Sequence, residues 1–168
     1  HRGVVQEQMP CALGRAIGRR AGGDVVLLRL VQCPGLAELK SLCAAVVTHG
    51  GSPLFYVEGQ GPAPSERPPA DAGFRVTRSE LERALAELDD GDDRVDLVCL
   101  GCPHASLQEL ADLVSLLDGR AVCTETWICT ARPTADAGAA LGLVAELEAA
   151  GVRVVCDTCF AVAPLDRA

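Results

Sequence analysis

The chain has 168 residues, 49% of them hydrophobic but only 3% aromatic, so a core of ordinary size has to be built from Val, Leu and Ala. A net charge of −8 excludes the basic footprint of a nucleic-acid surface. No apolar run reaches the ~18 residues of a membrane span, so no membrane partner is expected. Length predicts a single domain over 1–168. The nine cysteines, with no secretory signal after His1-Arg2-Gly3, predict a reducing, cytoplasmic setting.

From the first residue the chain reads as a mixed, polar segment. Asp24 to Val31 is then a largely apolar run of strand length. Leu36, Leu39, Leu42 and Val46 recur at helical spacing over Gly35 to Thr48, and Gly50-Gly51 supplies a helix stop. Pro53 to Val57 is a second strand. Residues 59–73, rich in Pro, Gly, Ala and Ser, form a surface loop. Thr77-Arg78-Ser79-Glu80 is a capping box opening a helix to about Leu88. Asp89 to Asp93 is a solvated acidic turn.

Val95 to Leu100 is the next strand, and Ser106-Leu107-Gln108-Glu109 is a second capping box for a helix to Leu117. Ala121 to Cys129 is a strand with a kink near Thr126, Thr134 to Ala150 a helix, and Val152 to Val155 the last strand. This alternation predicts an α/β fold: a mostly parallel sheet with helices on both faces.

Two strand ends carry thiols: Gly101-Cys102-Pro103-His104-Ala105-Ser106, and Cys156-Asp157-Thr158-Cys159. Strand ends are where open α/β sheets bind ligands. Two of them offering cysteines to one place point to a metal or iron–sulfur site rather than a disulfide. The helix starting at Ser106 aims its positive end at the Cys102 loop, which is expected to lower that thiol's pKa. The candidate metal ligands are Cys102, Cys159 and Cys156. Cys156 serves equally well as the last inward residue of its strand. A redox C-x-x-C reading is disfavoured because no helix follows the pair. His104, Ser106 and Arg132 are the candidate substrate-binding residues. Arg132 suits a carboxylate or phosphate, and Ser106 also suits a helix cap. No catalytic residue is assigned.

The segment Val95 to Leu110, with its Gly-Cys-Pro-His, resembles the corresponding stretch of the aconitase X family. So do Gly151 to Cys159, continued through Val162-Ala163-Pro164-Leu165, and Cys129-Thr130-Ala131-Arg132, where the family has Thr-Ser-Arg. The resemblance implies an aconitase-like three-layer domain of an iron–sulfur hydro-lyase (dehydratase). Its cluster, 2Fe-2S or 4Fe-4S, would rest on Cys102 and Cys159. It also implies a small hydroxy-acid substrate. Cis-3-hydroxy-L-proline is preferred, with mevalonate 5-phosphate as the alternative. Similar proteins have a small swivelling domain or subunit that carries a serine base.

This chain looks like the middle-to-late part of the large portion, so in isolation it is expected to be inactive. The family's His and Thr-Pro-Glu pattern stands here as Tyr56 and Gly61-Pro62-Ala63. The competing reading is a non-catalytic aconitase-like module, with no metal or with a structural zinc on Cys102, Cys156, Cys159 and His104.

Overall fold

The computed structural model describes residues 2–52, 54–69, 73–89, 91 and 94–160, with side chains from Met9 onward. Pro53, most of the acidic turn and the segment from Ala161 lie outside the described residues. The chain divides at Gly91 into two compact units. The one domain expected from length becomes two because each unit has its own parallel sheet and its own buried cluster. The acidic run read as a turn falls at the division.

In the first unit the order is α1 (Arg2–Ala21), β1 (Val26–Leu28), α2 (Leu36–Gly50), β2 (Phe55–Val57) and α3 (Arg78–Ala86). The opening read as a mixed, polar segment is therefore a 20-residue helix, with Pro10 inside it. Its helicity rests on α2. A Cβ added to Gly14 would sit 2.5 Å from the Ala45 Cβ, and one on Gly18 would sit 2.7 Å from the Val46 carbonyl oxygen. Only glycine at these positions lets the two backbones approach so closely.

β1 and β2 pair in parallel, Val26 opposite Phe55 and Leu28 opposite Val57. Ile17, Leu28, Leu42 and Val46 are buried together, with Leu13, Val26, Phe55 and Val76 packed around them. The Thr77 capping box forms as expected, with Glu80 Oε2 accepting from the Thr77 N–H at 2.7 Å. α3 is also tied to α1 by ion pairs, Arg20 with Glu80 and both Arg15 and Arg19 with Glu87.

The second unit runs β3 (Leu97–Ala105), α4 (Leu107–Leu117), β4 (Glu125–Thr130), α5 (Arg132–Ala140), α6 (Leu143–Ala149) and β5 (Val152–Cys156). Its sheet is parallel in the order β3-β4-β5, so each strand is reached by a helical crossover. Leu100, Ile128 and Val154 share a register row. They pack with Ala105, Leu110, Leu147 and Val152, of which Leu110 and Leu147 are fully buried. The single helix expected over 134–150 is broken in two. Gly142, at φ +81°, ends one helical course and caps the next. The parallel α/β reading holds in both sheets.

Candidate metal centre and anion contact

β3 pairs regularly with β4 as far as Leu100 opposite Ile128, and the register then jumps to Ala105 opposite Thr130. The four residues between them, Gly101 to His104, are thereby pushed out of the ladder. Gly101 makes this possible. It sits at φ +86°, and a Cβ there would run into the carbonyl oxygen of Cys129. The bulge carries Cys102, whose peptide bond to Pro103 is cis, and His104. It closes where the buried Thr130 Oγ1 donates to the Ala105 carbonyl at 2.6 Å. Ser106 then caps α4. Its Oγ accepts from the Glu109 N–H at 3.3 Å and donates to Glu109 Oε2 at 2.7 Å. The Ser106 hydroxyl is thus engaged by the helix on both its donor and its acceptor side.

β5 ends at Cys156, opposite Thr130. Asp157 follows in the left-handed region, at φ +58°, with its N–H donating to the Thr130 carbonyl at 3.2 Å. Its carboxylate takes two donors from one residue. The backbone N–H of Arg132 reaches Oδ1 at 3.2 Å, and the Arg132 guanidinium reaches Oδ2 at 2.6 Å. That anion holds the guanidinium protonated above even the ordinary arginine range. The Thr158 carbonyl lies 2.8 Å from His104 Nε2. A carbonyl can only accept, so Nε2 is the donor in this contact. One residue further, Cys159 Sγ comes to 3.9 Å from Cys102 Sγ.

The sulfur separation tests whether a metal fits. Two thiolates on one tetrahedral metal, each at ~2.3 Å, lie about 3.8 Å apart. The pair therefore has the spacing of two ligands to one ion without rearrangement. The expected lowering of the Cys102 pKa is not found. Burial pushes this thiol up, and the neighbouring Cys159 and Cys129 push the same way. The Glu109 carboxylate already sits over the N-terminus of α4, where it accepts from the Ser106 N–H. A bound cation would reverse the balance, because its charge stabilises both thiolates at once.

The structure brings Cys102, Cys159 and His104 to one turn. Arg132 is tied to the same turn through Asp157. Cys156 stays in the strand ladder. Among the described residues no group of three or more Cys, His, Asp or Glu is arranged to hold a metal, so the four-ligand zinc set is not assembled there. Asp157 is the residue that the sequence reading passed over. The available signal was an aspartate just past a strand, since Asp is one of the few side chains that tolerate left-handed backbone. Tyr56 lies in β2, and Gly61 to Ala63 in the irregular segment after it, both in the first unit.

Residues 4–86 match the family model of the aconitase X second domain, and residues 95–168 that of the third domain. The chain belongs to the aconitase X family. The two matches fall one in each compact unit. The chain is 37% identical over 157 residues to the phosphomevalonate dehydratase large subunit of Methanothermobacter thermautotrophicus, covering 92% of this chain and 39% of that protein. It is 38% identical over 136 residues to cis-3-hydroxy-L-proline dehydratase of Pseudomonas aeruginosa, covering 76% of this chain and 23% of that protein. The crystal structure of Thermococcus kodakaraensis aconitase X in its holo-form superposes with a TM-score of 0.82 at 28% identity, covering 92% of this chain and 41% of that one. The chain thus spans about two fifths, or less, of the length of these aconitase X relatives. Among the described residues no helix is long and apolar enough to cross a membrane.

Proposed function

We propose that this chain is the part of an iron–sulfur hydro-lyase that supplies cluster ligands and a carboxylate anchor for a small hydroxy acid. The observation that carries the reading is the Cys102–Cys159 pair, with one sulfur from the bulge in β3 and one from the turn after β5 held 3.9 Å apart. In this reading Cys102 and Cys159 hold the cluster, and Cys156 remains a strand residue. When bound, the cluster supplies a Lewis acid for the departing hydroxyl.

The protein's own groups do the rest. Arg132, two-thirds exposed, offers the guanidinium edge that Asp157 leaves over to a substrate carboxylate. His104 is held by the Thr158 carbonyl with its Nε2 proton committed, so it orients rather than transfers that proton. Ser106 keeps the end of the bulge in place through its cap. The base that removes the neighbouring proton comes from a partner, a small swivelling domain or subunit. The setting is cytoplasmic, where the thiols stay reduced.

Cis-3-hydroxy-L-proline is the preferred substrate. Arg132 is the arginine held at the thiol turn, and its guanidinium is already shared with Asp157. A phosphate, with two charges, calls for a denser set of donors. A phosphorylated hydroxy acid is the second reading, favoured by the more extensive match to the phosphomevalonate enzyme.

The test is iron and acid-labile sulfide on anaerobically purified full-length protein and on its Cys102→Ala and Cys159→Ala variants. Each is then assayed for dehydration of cis-3-hydroxy-L-proline and of mevalonate 5-phosphate. A cluster that both substitutions remove, with turnover of one substrate, supports the proposal. Protein that takes up no iron on reconstitution overturns it.

A further inference from the structure

Asp157 stands in the left-handed region, at φ +58°, which glycine takes without a steric penalty and Asp tolerates better than most side chains. Its carboxylate gathers the Arg132 backbone N–H and its guanidinium while the Asp157 N–H extends the β4–β5 ladder by one step. The residue therefore joins three things: the end of β5, the start of α5, and the short turn whose next two residues meet His104 and Cys102.

We propose that Asp157 is a positioning residue with two effects from one carboxylate. It fixes the turn that sets the Cys102–Cys159 separation, and it aims the Arg132 guanidinium at the substrate carboxylate. The second effect rests on the hydro-lyase reading; the first does not. The carboxylate is half exposed, so its contribution lies in geometry rather than in bulk stability.

Two substitutions separate backbone, carbonyl and charge. Asp157→Gly keeps the left-handed backbone and deletes the carboxylate. Asp157→Asn tolerates the same backbone, keeps an oxygen for the Arg132 N–H and removes the charge. The full-length protein, stripped of metal, is treated with dibromobimane, which bridges neighbouring thiols, and the Cys102–Cys159 peptide is quantified by mass. Binding of cis-3-hydroxy-L-proline is measured by calorimetry on the same preparations, and melting temperature serves as the control for fold.

Asp157→Gly is expected to slow bridging roughly fivefold, and Asp157→Asn to leave it within about twofold, because only the first frees the turn. Both should weaken hydroxy-acid binding roughly tenfold, with melting temperatures unchanged. Bridging in Asp157→Gly at the wild-type rate overturns the first effect. Wild-type binding in both variants overturns the second. A wild-type protein that binds neither iron nor hydroxy acid refutes the hydro-lyase reading instead, and the bridging rates still decide whether Asp157 positions the thiols.

Discussion

The most exacting perturbation of the Cys102 bulge is one methyl group at Gly101. Two costs are separable there. At φ +86° an alanine is strained by about 1 kcal/mol relative to glycine. Its Cβ would also overlap the Cys129 carbonyl oxygen. That atom belongs to a strand paired with Val155 and cannot swing aside, so the chain must shift, at an overpacking cost of about 1–3 kcal/mol. Together Gly101→Ala should lose about 2–4 kcal/mol.

Gly119 provides the control. It lies in the same unit at φ +73°, and a Cβ there meets nothing within 4 Å, so Gly119→Ala carries the conformational cost alone. Trp127, the only tryptophan of the 168 residues, lies in β4 beside the bulge and makes its fluorescence a reporter for this unit. With a urea slope of about 2 kcal/mol/M, the Gly101→Ala midpoint should fall by roughly 1–2 M, and that of Gly119→Ala by about 0.5 M. Equal shifts would refute the seating of the bulge on the Cys129 carbonyl.

In the first unit, Gly50→Ala drives a Cβ into the Gly18 backbone, and circular dichroism should show early loss of helix. Leu110→Ala empties a fully buried site under the second sheet and should cost about 2–5 kcal/mol in the same urea assay, against under 1 kcal/mol for Leu116→Ala, which is exposed. Acid should weaken the first unit in two stages, read by helical signal against pH. Burial and the nearby Arg15 and Arg19 lower the pKa of His49, so the native state resists its protonation and stability begins to fall as pH drops through the ordinary histidine value of 6.5. Hydrogen bonds from Thr77 and Arg15 lower the pKa values of Glu80 and Glu87. Their contribution is complete above the ordinary 4.5 and is lost as pH falls through their depressed native values. A helical signal flat from neutral pH down through both windows would contradict this.

Local chemistry was legible in the sequence wherever it closed on itself. The Thr77 and Ser106 capping boxes and the Gly51 stop each need only a few consecutive residues, and all three form. α1 was not legible, because its glycines and Pro10 oppose a helix locally and the gain comes from α2, a partner distant in sequence. The break before α6 was available in Gly142, a glycine inside an apolar helical pattern. The bulge was not, since a register jump exists only relative to the neighbouring strand. At the site, Cys102 and Cys159 can be paired because each follows an apolar run, whereas the role of Asp157 depends on Arg132, 25 residues away.

Cys102 and Cys159 are 57 residues apart and enclose nearly the whole second sheet with its helices. Any ion gripped by both sulfurs is therefore a clip that closes the chain between them into a loop. Such a clip removes freedom from the unfolded chain, and its effect grows slowly with the length enclosed. By mass action, the free concentration of the ion sets how firmly the unit is held. Under the proposed iron–sulfur reading, iron supply governs not only what the centre can do but how firmly this half of the chain is held.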